Sequence, residues 1–178
     1  MPILNKEARY TYEEYKNWND EEDFEIINGV GHEIDRHPDI YHQTISGNLT
    51  LEIQSYLKGT SCKLFYSLDV VFSNEDVVRP DIVVVCDKNK LTELNIQGAP
   101  DLIIEIASPI TLEKDTVIKL ELYEKFGVKE YWIIDPVSLN ITVYFNGKTE
   151  VYSIKDNYIP IEIFNKNLKL DIKDIFDL

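Results

Sequence analysis

Three charged residues stand where the chain otherwise places apolar ones. Glu105 lies inside Leu102-Ile103-Ile104-Glu105-Ile106-Ala107, an apolar run flanked by Pro100 and Pro109. Such a run reads as a strand buried on both faces of a sheet. A carboxylate there costs several kcal/mol unless a cation, a metal or hydrogen-bond donors receive it. Asp81 opens a second buried strand, Ile82-Val83-Val84-Val85-Cys86. Lys119 belongs to a helix predicted from Leu112 to Phe126. At about 100° per residue, Leu112, Tyr123 and Phe126 share one face of that helix, with Leu122 at its edge. Lys119 falls in the middle of the same stripe and Asp115 near its border. If the two strands are neighbours, Asp81 and Glu105 converge at one sheet end and the following helix returns Lys119 above them. Two hard carboxylates with room for water suit Mg²⁺ or Mn²⁺. With a lysine to orient a nucleophile or neutralise developing charge, the chemistry implied is metal-assisted phosphodiester hydrolysis.

Each residue also has a plainer reading. Asp81 could cap the start of its strand by accepting backbone N–H groups. Glu105 and Lys119 could be a purely structural ion pair. Asp101 competes for the role of Asp81, but it sits four residues before Glu105, roughly 13 Å along an extended chain. One metal does not easily reach both, so Asp81 is preferred. His42 falls on or beside an apolar helical stripe, where a satisfied core-edge histidine is the plainer reading. Tyr131 and Trp132 read as core or as a dimer contact.

The elements that must position these groups follow from pattern. Thr11 caps a short helix reaching about Trp18. Residues 23–27 and 30–34 form a hairpin about Asn28-Gly29, a dipeptide suited to a type I′ turn. Alternation puts Glu25 on the face of Asp23 and Ile27, and leaves open whether that face is wet. Tyr41, Ile45, Leu49, Ile53 and Tyr56 recur at helical spacing and predict a helix from about Asp39 to Leu57, stopping near Gly59. Strands are expected over 62–66, 68–72 and 77–86. Residues 73–76 read as a polar turn and 87–97 as a polar connection. After the central strand, Thr111 caps the Lys119 helix, which ends at Gly127. A strand over 129–136 and a hairpin over 141–154 about Asn146-Gly147 follow. A last edge strand over 168–172 and a terminal helix over 172–176 complete a mixed α/β (α+β) chain, a sheet flanked by helices.

With 178 residues and 44% hydrophobic content, one domain spanning 1–178 is expected. The N-terminal segment turns charged too early for a signal-peptide core, and no run is long enough to cross a bilayer. A soluble, cytoplasmic protein with no membrane partner is expected. Cys62 and Cys86 show no metal-ligand spacing and are expected as buried free thiols. The formal charge of −14, from 18 basic and 32 acidic residues, weighs against nucleic acid, as does the absence of any Lys/Arg cluster.

Several blocks nevertheless carry a resemblance over nearly the whole chain. They are Phe24-Glu25-Ile26-Ile27-Asn28-Gly29, Arg79-Pro80-Asp81, Gly98 to Glu105, the Asp115/Lys119/Tyr123 spacing and Gly127 to Pro136. Together they resemble the bacterial "putative restriction endonuclease" family, a former domain of unknown function abundant in cyanobacteria, within the PD-(D/E)XK nuclease superfamily. The resemblance implies a restriction-endonuclease-like core with extra N- and C-terminal hairpins, a likeness to proteins that are often homodimers, and DNA as substrate. It implies Asp81 and Glu105 as ligands of Mg²⁺ or Mn²⁺, Lys119 as the catalytic lysine and Glu25 as a further acidic site residue. His42 and Asp115 would be accessory. The superfamily lysine two positions after Glu105 is Ala107 here, so the catalytic role depends on Lys119 arriving from the helix. Two rival readings are a non-catalytic binding or assembly module that keeps the fold, and an enzyme acting on a small phosphorylated substrate. The latter would suit the acidity, but no Gly-rich phosphate cradle is visible.

Overall fold

The structure, a computed structural model, describes residues 8–18, 24–34, 39–109 and 111–177. Asp23, expected to share a face with Glu25, and the N-terminal heptapeptide lie outside these. Helix α1 (Tyr12–Tyr15) opens with a capping box between Thr11 and Glu14. Strands β1 (Phe24–Ile27) and β2 (Val30–Glu33) form the N-terminal hairpin, with Asn28 and Gly29 both at positive φ as a type I′ turn requires. Helix α2 (Ile40–Leu57) follows, its first turn capped by the Asp39 carboxylate accepting from the His42 N–H. Next come β3 (Lys63–Tyr66) and β4 (Val70–Ser73). The single strand expected over 77–86 is two, β5 (Asp76–Val78) and β6 (Ile82–Val85). The break falls at Pro80, which has no N–H to give a ladder. A 3-10 turn (Lys88–Lys90) and the short β7 (Ile96–Gln97) lead to β8 (Leu102–Ile106).

Lys114–Lys119 form a π-helical turn that runs into α3 (Leu120–Phe126). The Thr116 hydroxyl donates to the Leu112 carbonyl at 2.7 Å. Such back-bonding competes with the α-helical ladder at the point where it widens. Gly127, at φ 78°, ends the helix in the left-handed conformation. The remaining elements are β9 (Glu130–Asp135), β10 (Asn140–Phe145), β11 (Lys148–Ser153), β12 (Tyr158–Pro160), β13 (Lys169–Asp171) and α4 (Ile172–Phe176). Strand β12, which no sequence pattern flagged, pairs antiparallel with β13.

The central sheet has the order β11-β10-β9-β8-β6-β3, with β8 and β9 parallel and the other pairs antiparallel. The C-terminal hairpin therefore extends this sheet. The N-terminal hairpin belongs to a second sheet, β2-β1-β5-β4-β7. Strand alternation divides the core in two. Ile82, Val84, Leu102, Ile104, Trp132 and Ile134 pack with Ile45, Leu49 and Ile53 of α2. Val83, Val85, Ile103, Ala107, Tyr131 and Ile133 pack with Leu122 and Tyr123 of α3. Tyr131 and Trp132 are thus both core. Asp81 and Glu105 share the parity of the second set, so their side chains start on the α3 face.

Cys62 and Cys86 are not free thiols but a disulfide, a correction to the expected state. In the β3–β6 ladder Lys63 faces Val85, so the next rung brings the two cysteines together. The bond closes a 24-residue separation. By loop entropy, reducing it should lower the unfolding free energy by about 3 kcal/mol. Urea unfolding with and without reductant, alongside a thiol count, checks this. A midpoint indifferent to reductant would show that the bond contributes little to stability.

Candidate active site

Glu105, Asp81, Lys119 and Glu25 reach one place by separate routes. In the antiparallel β6–β8 ladder Ile82 faces Ile104, so the next rung sets Asp81 opposite Glu105. The Ile106 N–H donates to Asp81 Oδ2 at 2.7 Å. Asp81 thus accepts a backbone N–H, but from the end of β8 and not from the start of its own strand, and its second oxygen lies 3.0 Å from His42 Nε2. Lys119 comes down from the π turn and donates to Glu105 Oε1 at 2.8 Å. The Tyr123 hydroxyl, one turn on, donates to the same oxygen at 2.8 Å. Glu25 arrives from the second sheet, with its Oε1 2.8 Å from Lys119 Nζ. It also accepts the Arg79 N–H at 3.1 Å. Glu25, His42, Asp81, Glu105 and Lys119 line one cavity of about 470 Å³, together with Asp115, Lys114 and Ser108, while Tyr123 supports Glu105 from behind its wall.

Asp101 is not part of the group. Its carboxylate accepts from the Cys86 N–H and from Lys129 at the other end of β8. Asp115 is buried beside Lys119, its Oδ1 3.7 Å from the amine and without a hydrogen-bond partner among the described residues. Lys114, which sequence reasoning did not single out, donates to Glu25 Oε2 at 3.0 Å. On an α-helix Lys114 and Lys119 would point about 140° apart. The π turn, with its i→i+5 bonding, brings residues five apart toward one wall. The signal that could have found Lys114 was Thr116, a back-bonding residue in the turn that widens.

The charges are unevenly shared. Burial works against an ionised Glu25, yet Lys119 and Lys114 outweigh it and hold its carboxyl down at about 2. Glu105 has a single cation, Lys119, and shares it with Glu25. Burial, followed by the charges of Asp115, Asp81 and Glu25, pushes it up to about 8 against the pull of Lys119. Burial likewise raises Asp115. Lys119 would be lowered by burial, but Glu105, Glu25 and Asp115 reverse this and keep it firmly protonated. The cluster thus carries more acid than base, the condition a bound cation relieves.

Asp81 and Glu105 are the residues that could hold a divalent metal. Among the described residues no group of three His, Cys, Asp or Glu side chains converges as a closed cage. A pair of carboxylates completed by water and substrate phosphate is instead the set that suits Mg²⁺. Glu105 Oε2 accepts no hydrogen bond from a described residue, since its two donors both sit on Oε1. The donor set therefore fits a hard divalent ion.

Depressed carboxylates support the folded state only while ionised. Glu25 should stabilise the protein above its unfolded value of about 4.5 and lose that contribution as pH falls through about 2. Unfolding free energies of Glu25→Gln and wild type from urea titration should therefore differ most near neutrality, by about 3 kcal/mol, and converge between about pH 4.5 and 2. A gap independent of pH would show that the charge of Glu25 is not what matters.

The architecture is that of a nuclease-type fold. It matches the crystal structure of a putative nuclease belonging to DUF820 from Anabaena variabilis ATCC 29413 with a TM-score of 0.79 and 28% identity, covering 93% of this chain and 96% of that one. Residues 11–176 match the Uma2 family, described as "Putative restriction endonuclease", and the chain belongs to that family. No curated protein matches it. Among the described residues, no helix is long and apolar enough to cross a membrane.

Proposed function

We propose that this protein is a divalent-metal-dependent nuclease that hydrolyses phosphodiester bonds of DNA at the Asp81/Glu105/Lys119 cavity. The observation that carries the reading is the placement of Asp81 opposite Glu105, one rung beyond the Ile82–Ile104 pair of β6 and β8, with the Lys119 amine 2.8 Å from Glu105. Mg²⁺ or Mn²⁺ held by Asp81 and Glu105 would polarise a phosphoryl oxygen and lower the pKa of a bound water. Lys119, fully protonated, presents N–H donors at the mouth of that pair, where they can hold a nucleophile in line or stabilise charge on the phosphoryl oxygens. Tyr123 fixes the rotamer of Glu105 through its hydroxyl. Glu25 is a positioning residue, since its oxygens are engaged by Lys119, Lys114 and the Arg79 N–H. His42 steadies Asp81 from α2.

The family membership and the nuclease-type neighbour support this reading. The net charge of −14 sets its difficulty: binding a polyanion has to rely on local cations and the metal. The test is cleavage of plasmid and labelled oligonucleotides, double- and single-stranded, with Mg²⁺, Mn²⁺ or EDTA. Cleavage should need metal and disappear in Glu105→Ala. Metal-dependent cleavage that survives both Glu105→Ala and Lys119→Ala would overturn the proposal.

A further inference from the structure

Four side chains that can carry positive charge line the cavity: His42, Arg79, Lys114 and Lys119. Three have commitments that a phosphate flanking the scissile one could not easily draw them away from. The Lys119 side chain is 4% exposed and supplies the cation for Glu105 as well as Glu25. Arg79 is clasped by Asp69, 2.8 Å from its Nε, and its Nη2 donates to the Tyr15 hydroxyl at 3.3 Å. His42 faces Asp81.

Lys114 differs in its partners. Its side chain, at 16%, is more exposed than that of Lys119 at 4% and less exposed than those of His42 at 23% and Arg79 at 30%, so exposure alone does not single it out. Its contacts are Glu25 Oε2 at 3.0 Å and a long 3.4 Å approach to the Glu33 carbonyl. If its amine moved away, Glu25 would keep Lys119 and the Arg79 N–H on its other oxygen. No buried carboxylate would be left without a donor. Glu25 Oε2, on a side chain 1% exposed, would lose its own donor, a cost that the phosphate contact has to offset. The larger penalty of a buried charge stripped of every partner is avoided. Lys114 is also one carboxylate away from the reacting end of Lys119, because the two amines grip opposite oxygens of Glu25.

We infer that Lys114 is a substrate-binding residue that leaves Glu25 to contact a backbone phosphate flanking the scissile one. The inference rests on the nuclease reading and adds to it a residue whose contribution is to binding. A contact of this kind is independent of sequence and weakens with salt.

The experiment compares wild type, Lys114→Gln and Lys114→Arg by steady-state cleavage of an oligonucleotide with Mg²⁺, and by anisotropy of the same oligonucleotide in EDTA across a salt series. Lys114→Gln should raise KM and the EDTA Kd about tenfold with kcat held within about twofold. The slope of log Kd against log salt should become shallower by about one, and Lys114→Arg should restore all three. An unchanged KM and salt slope would overturn the inference, as would a fall in kcat alone, which would assign Lys114 to holding Glu25. Wild type that binds without cleaving counts against the nuclease reading and leaves the binding comparison to decide the role of Lys114. Wild type that neither binds nor cleaves overturns both.

Discussion

Lys119→Ala should lose metal-dependent cleavage by about 10²- to 10³-fold or more and destabilise the fold by about 3–5 kcal/mol in the same protein. Both effects come from one amine. Lys119 is 3% exposed and bridges Glu25 and Glu105, which are 1% and 5% exposed. Alanine leaves Glu105 in an apolar strand with the Tyr123 hydroxyl as its one remaining donor and three acidic neighbours. The two effects can be separated by replacing the stranded acid. In Lys119→Met/Glu105→Gln, Glu25 still has Lys114 and the Arg79 N–H. Most of the lost stability should therefore return while cleavage stays absent. Urea unfolding and an oligonucleotide assay read the two quantities independently. A Lys119→Ala protein as stable as wild type would show that the carboxylates find other partners, and one that still cleaves would remove Lys119 from the chemistry.

The pairing of Glu105 with Lys119 was legible in the sequence because a charge inside an apolar pattern is an anomaly whatever the fold. Glu105 interrupts a buried strand and Lys119 interrupts an apolar helical stripe, and each anomaly asks for the other. What pattern alone could not settle was geometry that depends on pairing. Glu25 alternates along a strand whose outer face could have been wet. Its burial follows from the second sheet, which carries it to the end of β6. Cys62 and Cys86 have no local motif, and only the β3–β6 register puts them opposite each other. Lys114 was hidden by the assumption of 3.6 residues per turn, which fails at the π turn. The break of one expected strand into β5 and β6 was written in Pro80. That break also turns Arg79 toward Asp69 and Asp81 toward Glu105, so the dipeptide matters for direction as much as for termination.

Glu130 shows the opposite case, a buried acid at the start of β9 that no sequence pattern singled out. It is 0% exposed. Its Oε1 accepts from Trp132 Nε1 at 2.7 Å and from the Glu162 N–H at 3.1 Å, and its Oε2 accepts from the Ile163 N–H at 2.8 Å. Burial raises its pKa against the pull of those donors. One carboxylate thus fastens the turn Glu162–Phe164 to β9, beneath the cluster where Ile172, Ile175 and Phe176 of the terminal helix pack. Glu130→Ala would orphan three donors at once, at about 1–3 kcal/mol each. A loss of about 4 kcal/mol is expected, with a fall in Tm of roughly 10 °C. Glu130→Gln keeps an acceptor but turns an amide N–H₂ toward one of the backbone donors, so it should lose about half as much. Glu130 shares the strand parity of Trp132 and Ile134, on the α2 face of the sheet, away from Lys119. Cleavage per folded molecule at 25 °C should therefore be unchanged. If Glu130→Ala unfolds at the wild-type urea midpoint, water replaces the carboxylate without penalty and the turn is held by its apolar contacts instead.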